Sequence, residues 1–135
     1  MIDSPANINA ISDIFEKIAK SEIEVDMISQ IPPNGKYSSL SFTVSGEDFG
    51  KILKVTAELR EKNPNLKISV SSGNCKISVY SEEMRERPGI AAKVFRATSS
   101  VNADVRMITT SETDISLLIF KADLDNTLNS INKIL

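Results

Sequence analysis

The chain has 135 residues, of which 41% are hydrophobic and 25% are charged, a balance that predicts a globular protein with one ordinary domain or two very small ones. Its 16 basic and 18 acidic residues give a net charge of −2, which argues against nucleic acid as the main partner. The absence of histidine excludes triads, general bases and zinc sites that need an imidazole. A single cysteine, Cys75, excludes an internal disulfide, and no apolar run reaches the roughly 18 residues of a membrane span. We therefore expect a reduced, cytoplasmic setting with no membrane contact.

Hydrophobic periodicity and turn residues predict ten elements along the chain. The first half contains, in order, a helix over residues 7–21, strands over 25–31 and 37–44, a helix from 48 to about 63, and a strand over 66–71. The second half contains a strand over 75–80, a helix from Pro88 to about 100, strands over 104–110 and 114–120, and a helix over 124–135. Both halves contain the series helix, strand, strand, helix.

An internal repeat explains that order. At an offset of 80 residues, residues 11–30 align with 91–110, and the segments EVDMISQ and DVRMITT are alike. The match resumes at an offset of 75, and the five extra residues of the first copy, 31–35, have the composition of a loop. The repeating unit is strand–helix–strand–strand–helix–strand, the ferredoxin-like arrangement of an α+β protein. We predict two such units, 1–72 and 73–135, each an antiparallel sheet with its helices on one face.

Both ends of the predicted pair look incomplete. Only six residues precede the first helix, so the first unit is expected to lack its opening strand, and the second unit ends in its helix without a closing strand. Bare sheet edges are usually covered in natural proteins, so we expect a piece of a longer polypeptide.

The remaining polar features favour binding over catalysis. Walker and GxGxxG motifs are absent, and Cys75 lies in a predicted strand as a small apolar residue would. Residues 87–91 (RPGIA) open a helix whose exposed N–H groups favour a carboxylate, and Asn7 or Asn9 can cap the matching helix of the first copy. An ordinary helix start and an ordinary cap explain these two features equally well.

Two further features have the same double interpretation. The turn over residues 110–113 (TSET) presents hydroxyls and a carboxylate, as a binding loop or a solvated turn does. Asp26 faces away from its apolar neighbours, either toward a ligand or toward solvent, and Arg106 takes its place in the second copy. If the site holds a cation, only the first copy is expected to bind it.

Four segments resemble the paired ACT domains at the C-terminus of aspartate kinases: VDMISQ, LSFTV, RPGIAAKVFRA and RMITTSETDIS. The resemblance covers nearly the whole chain in order. It implies two ferredoxin-like units whose sheets associate across a homodimer. It also implies a regulatory part that binds an end-product amino acid, lysine or threonine, at the interface between ACT domains and inhibits the phosphorylation of aspartate by ATP. The fragment itself is expected to have no catalysis and no cofactor, since ATP and Mg²⁺ would bind the kinase domain of the parent chain.

The resemblance also implies an effector site. The effector carboxylate is expected at backbone N–H groups of Asn9, Ala10 and Ile11, and an ammonium at Asp26. The other expected site residues are Met27, Ile28 and Gln30 of the same strand, and Ser111 and Glu112 of the second unit. The first copy lacks the Asp-x-Pro-Gly turn of many relatives at its helix start.

Two other functions remain open at this point. The chain could be a stand-alone ACT sensor or the regulatory end of another enzyme of amino-acid metabolism. It could also be an enzyme with a ferredoxin-like fold, although the absence of histidine and of a convergent polar cluster argues against this.

Overall fold

The computed structural model describes residues 2–5, 8–34, 37–62 and 67–135. The chain divides into two compact units, Met1–Ser72 and Gly73–Leu135, and each is described by itself. Among the described residues, no helix is both long enough and apolar enough to cross a bilayer.

Unit 1 is a four-stranded antiparallel sheet with two helices. Its elements are β1 (Ile2–Pro5), α1 (Ile8–Lys20), β2 (Val25–Asn34), β3 (Tyr37–Val44), α2 (Phe49–Lys62) and β4 (Lys67–Ile68), with a 3₁₀ turn at Gly46–Asp48. The strand order is β2-β3-β1-β4. The predicted end of α2 near Asn63 and Pro64 lies outside the described residues, as does Asn7.

Unit 2 repeats this arrangement with three described strands. Its elements are β5 (Asn74–Tyr80), α3 (Gly89–Ser100), β6 (Val105–Thr110), β7 (Asp114–Phe120) and α4 (Leu124–Ile134), with 3₁₀ turns at Glu82–Arg85 and Lys121–Asp123. The antiparallel strand order is β5-β7-β6. The predicted α+β architecture of two ferredoxin-like units is therefore confirmed.

The expectation that unit 1 lacks its opening strand is wrong. Ile2–Pro5 form β1, which pairs with β3 on one side and with β4 on the other. Four residues with one large apolar side chain give almost no local strand signal, so pairing on both sides decides the conformation. The sequence prediction failed because it judged the segment by its length alone.

The proline-containing segment after residue 30 is also a strand rather than a loop. β2 continues to Asn34 and pairs with β3, with a register shift between Ile31 and Asn34. Prolines are tolerated there because β2 is an edge strand, where a missing backbone N–H breaks no ladder on the open side.

Each unit buries one face of its sheet beneath its two helices. In unit 1 the core consists of Ile14, Ile18, Ile23, Ile52, Val55 and Leu59, against which Phe42, Val44 and other strand residues pack. In unit 2 it consists of Ile77, Val79, Val94, Ala97, Ile115, Leu117, Ile119 and Ile131. The side chains that alternate with these strand residues point to the opposite face of each sheet.

The first helix of each unit ends in the same way. Glu22 and Asn102, which the repeat aligns, both have a positive φ, of 59° and 52°. After α1, the N–H of Ile23 donates to Ile18 O, and the N–H of Glu22 donates to Ala19 O. After α3, the N–H of Ala103 donates to Thr98 O, and the N–H of Asn102 donates to Ser99 O. Both ends are therefore Schellman motifs, which satisfy the last helical carbonyls through one left-handed residue.

We expect Glu22→Gly to stabilise unit 1 by about 0.5–1 kcal/mol, because glycine takes the left-handed conformation without a Cβ clash. Asn102→Gly should stabilise unit 2 by a smaller amount, because asparagine already tolerates the left-handed conformation. Urea unfolding monitored by circular dichroism measures both variants. Equal gains at the two positions would contradict this account of the motif.

The contact between α3 and α4 contains two buried threonines with different hydrogen bonding. Thr98 Oγ1 donates to Val94 O at 2.8 Å. Thr127 is fully buried, yet its Oγ1 has no hydrogen-bond partner among the described residues. A buried hydroxyl without a partner costs folding free energy, so Thr127 is a weak point of the unit 2 core.

Replacing each threonine by valine tests this difference at constant shape. We expect Thr127→Val to raise the free energy of unfolding by about 1 kcal/mol, and Thr98→Val to lower it or leave it unchanged. Calorimetric melting of the two variants beside the parent chain gives the comparison. A lower melting temperature for Thr127→Val would show that its hydroxyl is satisfied in solution.

Candidate functional site

The beginning of α1 can offer backbone groups to a ligand. Asn9 is exposed, Ala10 is partly buried, and Ile11 points into the core with 8% of its surface exposed. The first N–H groups of a helix have no partner within the helix, and Ile8–Ile11 include no acidic side chain. The contribution expected of Ile11 is therefore limited to its backbone.

The predicted residues of β2 differ in exposure. Asp26, Ile28 and Gln30 are exposed, and Ile28 keeps 52% of its surface accessible. Met27 is buried, and its N–H donates to Thr43 Oγ1 at 2.9 Å. Asp26, Ile28 and Gln30 can therefore contact a ligand through their side chains, whereas the Met27 side chain is inaccessible.

Strand register separates Asp26 from the beginning of α1. Pro5, three residues before α1, pairs with Tyr37, which also pairs with Asn34 at the end of β2. Asp26 lies at the other end of β2, roughly 20 Å away at ~3.3 Å per residue of the paired strand β3. That distance far exceeds the length of an amino acid. Within unit 1, one ligand cannot contact both Asp26 and the α1 N-terminus.

In unit 2 the beginning of the first helix lies beside the turn that follows β6. A cleft of about 460 Å³ is lined by Met84, Arg85, Arg87, Pro88, Ala91, Thr110, Ser111, Glu112 and Ile115. The beginning of α3 thus shares one cleft with the turn after β6. Ser111 and Glu112, predicted as site residues, both line it.

Charged side chains of the cleft form two exposed ion pairs. Arg85 Nε lies 3.3 Å from Glu112 Oε2, with 64% and 79% of the side chains exposed. Arg87 Nη1 lies 3.3 Å from Glu83 Oε2. The cleft therefore contains cations that can bind a carboxylate and an anion that can bind an ammonium group.

Hydrogen bonds fix the backbone of the turn that carries Glu112. The Ser111 N–H donates to Asp114 O at 2.8 Å, and the Thr113 N–H donates to Ser111 Oγ at 3.3 Å. The Ser81 N–H donates to Thr113 O at 2.9 Å and so ties the turn to the segment after β5. The turn holds a defined shape, while the Glu112 side chain stays in solvent.

The sequence analysis did not single out Met84, Arg85 or Ile115. Ile115 is buried and Met84 packs against the core, so both give the cleft an apolar floor. Arg85 lies in a short 3₁₀ turn within a charged run, and only the fold shows that it faces the turn after β6. Its position two residues before the RPGIA segment was the available signal.

The predicted difference between the two copies has a structural counterpart. Arg106 is the residue that the repeat aligns with Asp26. Its Nη2 lies 2.9 Å from Asp104 Oδ2, and its Cζ lies 6.0 Å from the centre of the Phe120 ring.

In the described ranges, no three carboxylate, cysteine or histidine side chains are grouped as a metal site requires.

Comparison with known proteins identifies the family. An ACT domain model matches residues 77–135, which is most of unit 2. A solved structure of aspartokinase alpha and beta subunits is 31% identical, covers 98% of this chain and 89% of the matched chain, and superposes with a TM-score of 0.85. The chain belongs to the aspartokinase family. It represents a regulatory part of the family, built of ACT domains.

Other relatives agree with this assignment. Aspartokinase of Bacillus sp. strain MGA3 is 28% identical over 96% of the chain, and aspartokinase 2 of Bacillus subtilis strain 168 is 29% identical over 94%. The chain spans 31% of the length of each. The ligand-free regulatory subunit of aspartate kinase from Thermus thermophilus is 24% identical, matches 98% of this chain and 89% of its own, and has a TM-score of 0.88, which supports the fold.

The exposed ion pairs of the cleft should contribute little to stability. We expect Glu112→Gln and Glu83→Gln each to change the free energy of unfolding by less than about 1 kcal/mol, because solvent screens such pairs. Thermal melting at low and high salt measures this. A large loss in either variant would mean that the pair holds the cleft together.

Proposed function

We propose that this chain is the amino-acid-binding regulatory part of an aspartate kinase. Binding of an end-product amino acid, lysine or threonine, would inhibit phosphorylation of the aspartate β-carboxylate by a kinase domain that holds ATP and Mg²⁺. The observation that supports this most strongly is the unit 2 cleft, where a helix N-terminus, arginines and a carboxylate meet. These groups complement the carboxylate and ammonium of an amino acid.

The separation within unit 1 favours a site made by two ACT units. A carboxylate at the beginning of α1 and an ammonium at Asp26 would need ligand contacts about 20 Å apart if one unit supplied both. A second ACT unit placed against the first can bring the missing group to the ligand. We therefore propose binding at an interface between ACT units, in a homodimer, with Ser111 and Glu112 contributed by a second unit.

Inhibition then requires the amino acid to favour one arrangement of the ACT units. A ligand shifts an equilibrium only by its difference in affinity between the two states. Coupling of about 1–3 kcal/mol is typical of allosteric pairs and corresponds to roughly 5–150-fold in affinity. The attached kinase domain would be the partner that responds.

Asp26→Asn tests the ammonium contact. We expect the variant to bind its amino-acid effector at least about tenfold more weakly by calorimetry, since it loses one charge-assisted hydrogen bond, while its melting temperature changes little. Asp13→Asn is the matched control, because Asp13 is an exposed carboxylate on α1. A thermal-shift screen of the twenty amino acids on the parent chain first identifies the effector.

Two results would contradict the proposal. Unchanged binding by Asp26→Asn would remove Asp26 from the site. A parent chain stabilised by none of the twenty amino acids would contradict the regulatory function, because a ligand at 100 times its Kd adds about 2.7 kcal/mol of stability.

A further inference from the structure

The ion pair between Arg85 and Glu112 links two sides of the unit 2 cleft. Arg85 comes from the 3₁₀ turn after β5, and Glu112 comes from the turn between β6 and β7. Neither residue has a buried side chain that would fix its position, since 64% and 79% of these side chains are exposed. The pair is therefore held by charge attraction and can separate.

The geometry of the pair is weak. The contact runs through Nε at 3.3 Å, longer than the roughly 2.7–2.9 Å of a strong charge-assisted bond. A guanidinium binds a carboxylate best through two parallel N–H donors, an arrangement that this contact does not use. A second carboxylate can therefore compete with Glu112 for Arg85.

Exchange of partners favours a ligand with both charges. A lone carboxylate that takes Arg85 leaves Glu112 beside a new negative charge, and a lone ammonium that takes Glu112 leaves Arg85 beside a new positive charge. A zwitterion replaces both partners at once and keeps the cleft neutral. The apolar floor formed by Met84, Ala91 and Ile115 suits the carbon atoms between or beyond the two charges.

We propose that Arg85 and Glu112 are the specificity-determining pair of the unit 2 cleft. The α-carboxylate of an amino acid replaces Glu112 on Arg85, and its α-ammonium replaces Arg85 on Glu112. This inference rests on the proposed amino-acid binding and adds Arg85 to it. It also explains why the ligand is a zwitterion, because its negative group binds the Arg85 cation and its positive group binds the Glu112 anion.

Matched ligands separate the two charges. Calorimetry at constant ionic strength compares L-threonine with 3-hydroxybutyrate, which lacks the ammonium, and L-lysine with 6-aminohexanoate, which lacks the α-ammonium. The proteins are the full 135-residue chain, Arg85→Gln, Glu112→Gln and the control Asp13→Asn. Asp13 is an exposed carboxylate on α1 of unit 1 and is not among the residues that line this cleft.

We expect the parent chain to bind the amino acid about tenfold more tightly than its deaminated analogue, the effect of one charge-assisted contact. Glu112→Gln should lose this preference, because it weakens binding of the amino acid only. Arg85→Gln should bind both ligands about tenfold more weakly. Asp13→Asn should stay within about twofold of the parent for both ligands, because Asp13 lies outside the cleft.

Three results would overturn the assignment. Arg85→Gln with parent-like affinity for both ligands would exclude the carboxylate contact, and Glu112→Gln with an intact preference would exclude the ammonium contact. If Asp26→Asn loses binding while both cleft variants keep it, amino-acid binding by this chain stands and the assignment falls. If the parent chain binds none of the ligands, the assignment and the proposed function fall together.

Discussion

Burial of the central strand is the constraint on which each unit depends. In unit 2, Ile115, Leu117 and Ile119 of β7 are at most 2% exposed, and β7 pairs with a strand on each side. In unit 1 the equivalent central strand is β3, and its residue Leu40 is only 1% exposed. A unit of this size buries a thin core, so its helices must cover one sheet face completely.

The same constraint determines which groups can meet at a site. Each first helix packs antiparallel to the strand before it, so its N-terminus lies at the end of the unit where the second strand finishes. In unit 2 this places the RPGIA helix start beside the turn that carries Glu112. In unit 1 it places Asp26, at the start of β2, at the far end from the N-terminus of α1.

The two copies share the backbone conformation that ends the first helix, but they differ in surface charge. Glu22 and Asn102 end the first helices through the same Schellman hydrogen bonds, although their side chains differ in charge. Asp26 and Arg106 occupy equivalent strand positions with opposite charge. Backbone geometry follows from the fold that both copies need, whereas a solvent-facing side chain changes at little cost to stability. Different ligand chemistry in the two units is therefore compatible with one scaffold.

Periodicity, the repeat and turn chemistry were enough to predict the order of the elements, because these signals are local and both copies agree. Local signals failed at β1 and at Pro32–Pro33, since pairing with neighbouring strands, not propensity, makes those segments extended. The separation of roughly 20 Å between Asp26 and the beginning of α1, and the place of Arg85 in the unit 2 cleft, could not be read from the sequence. Which side chains share a cleft depends on strand register and on the direction of each helix. Those are properties of the assembled sheet, so only the tertiary structure decided them.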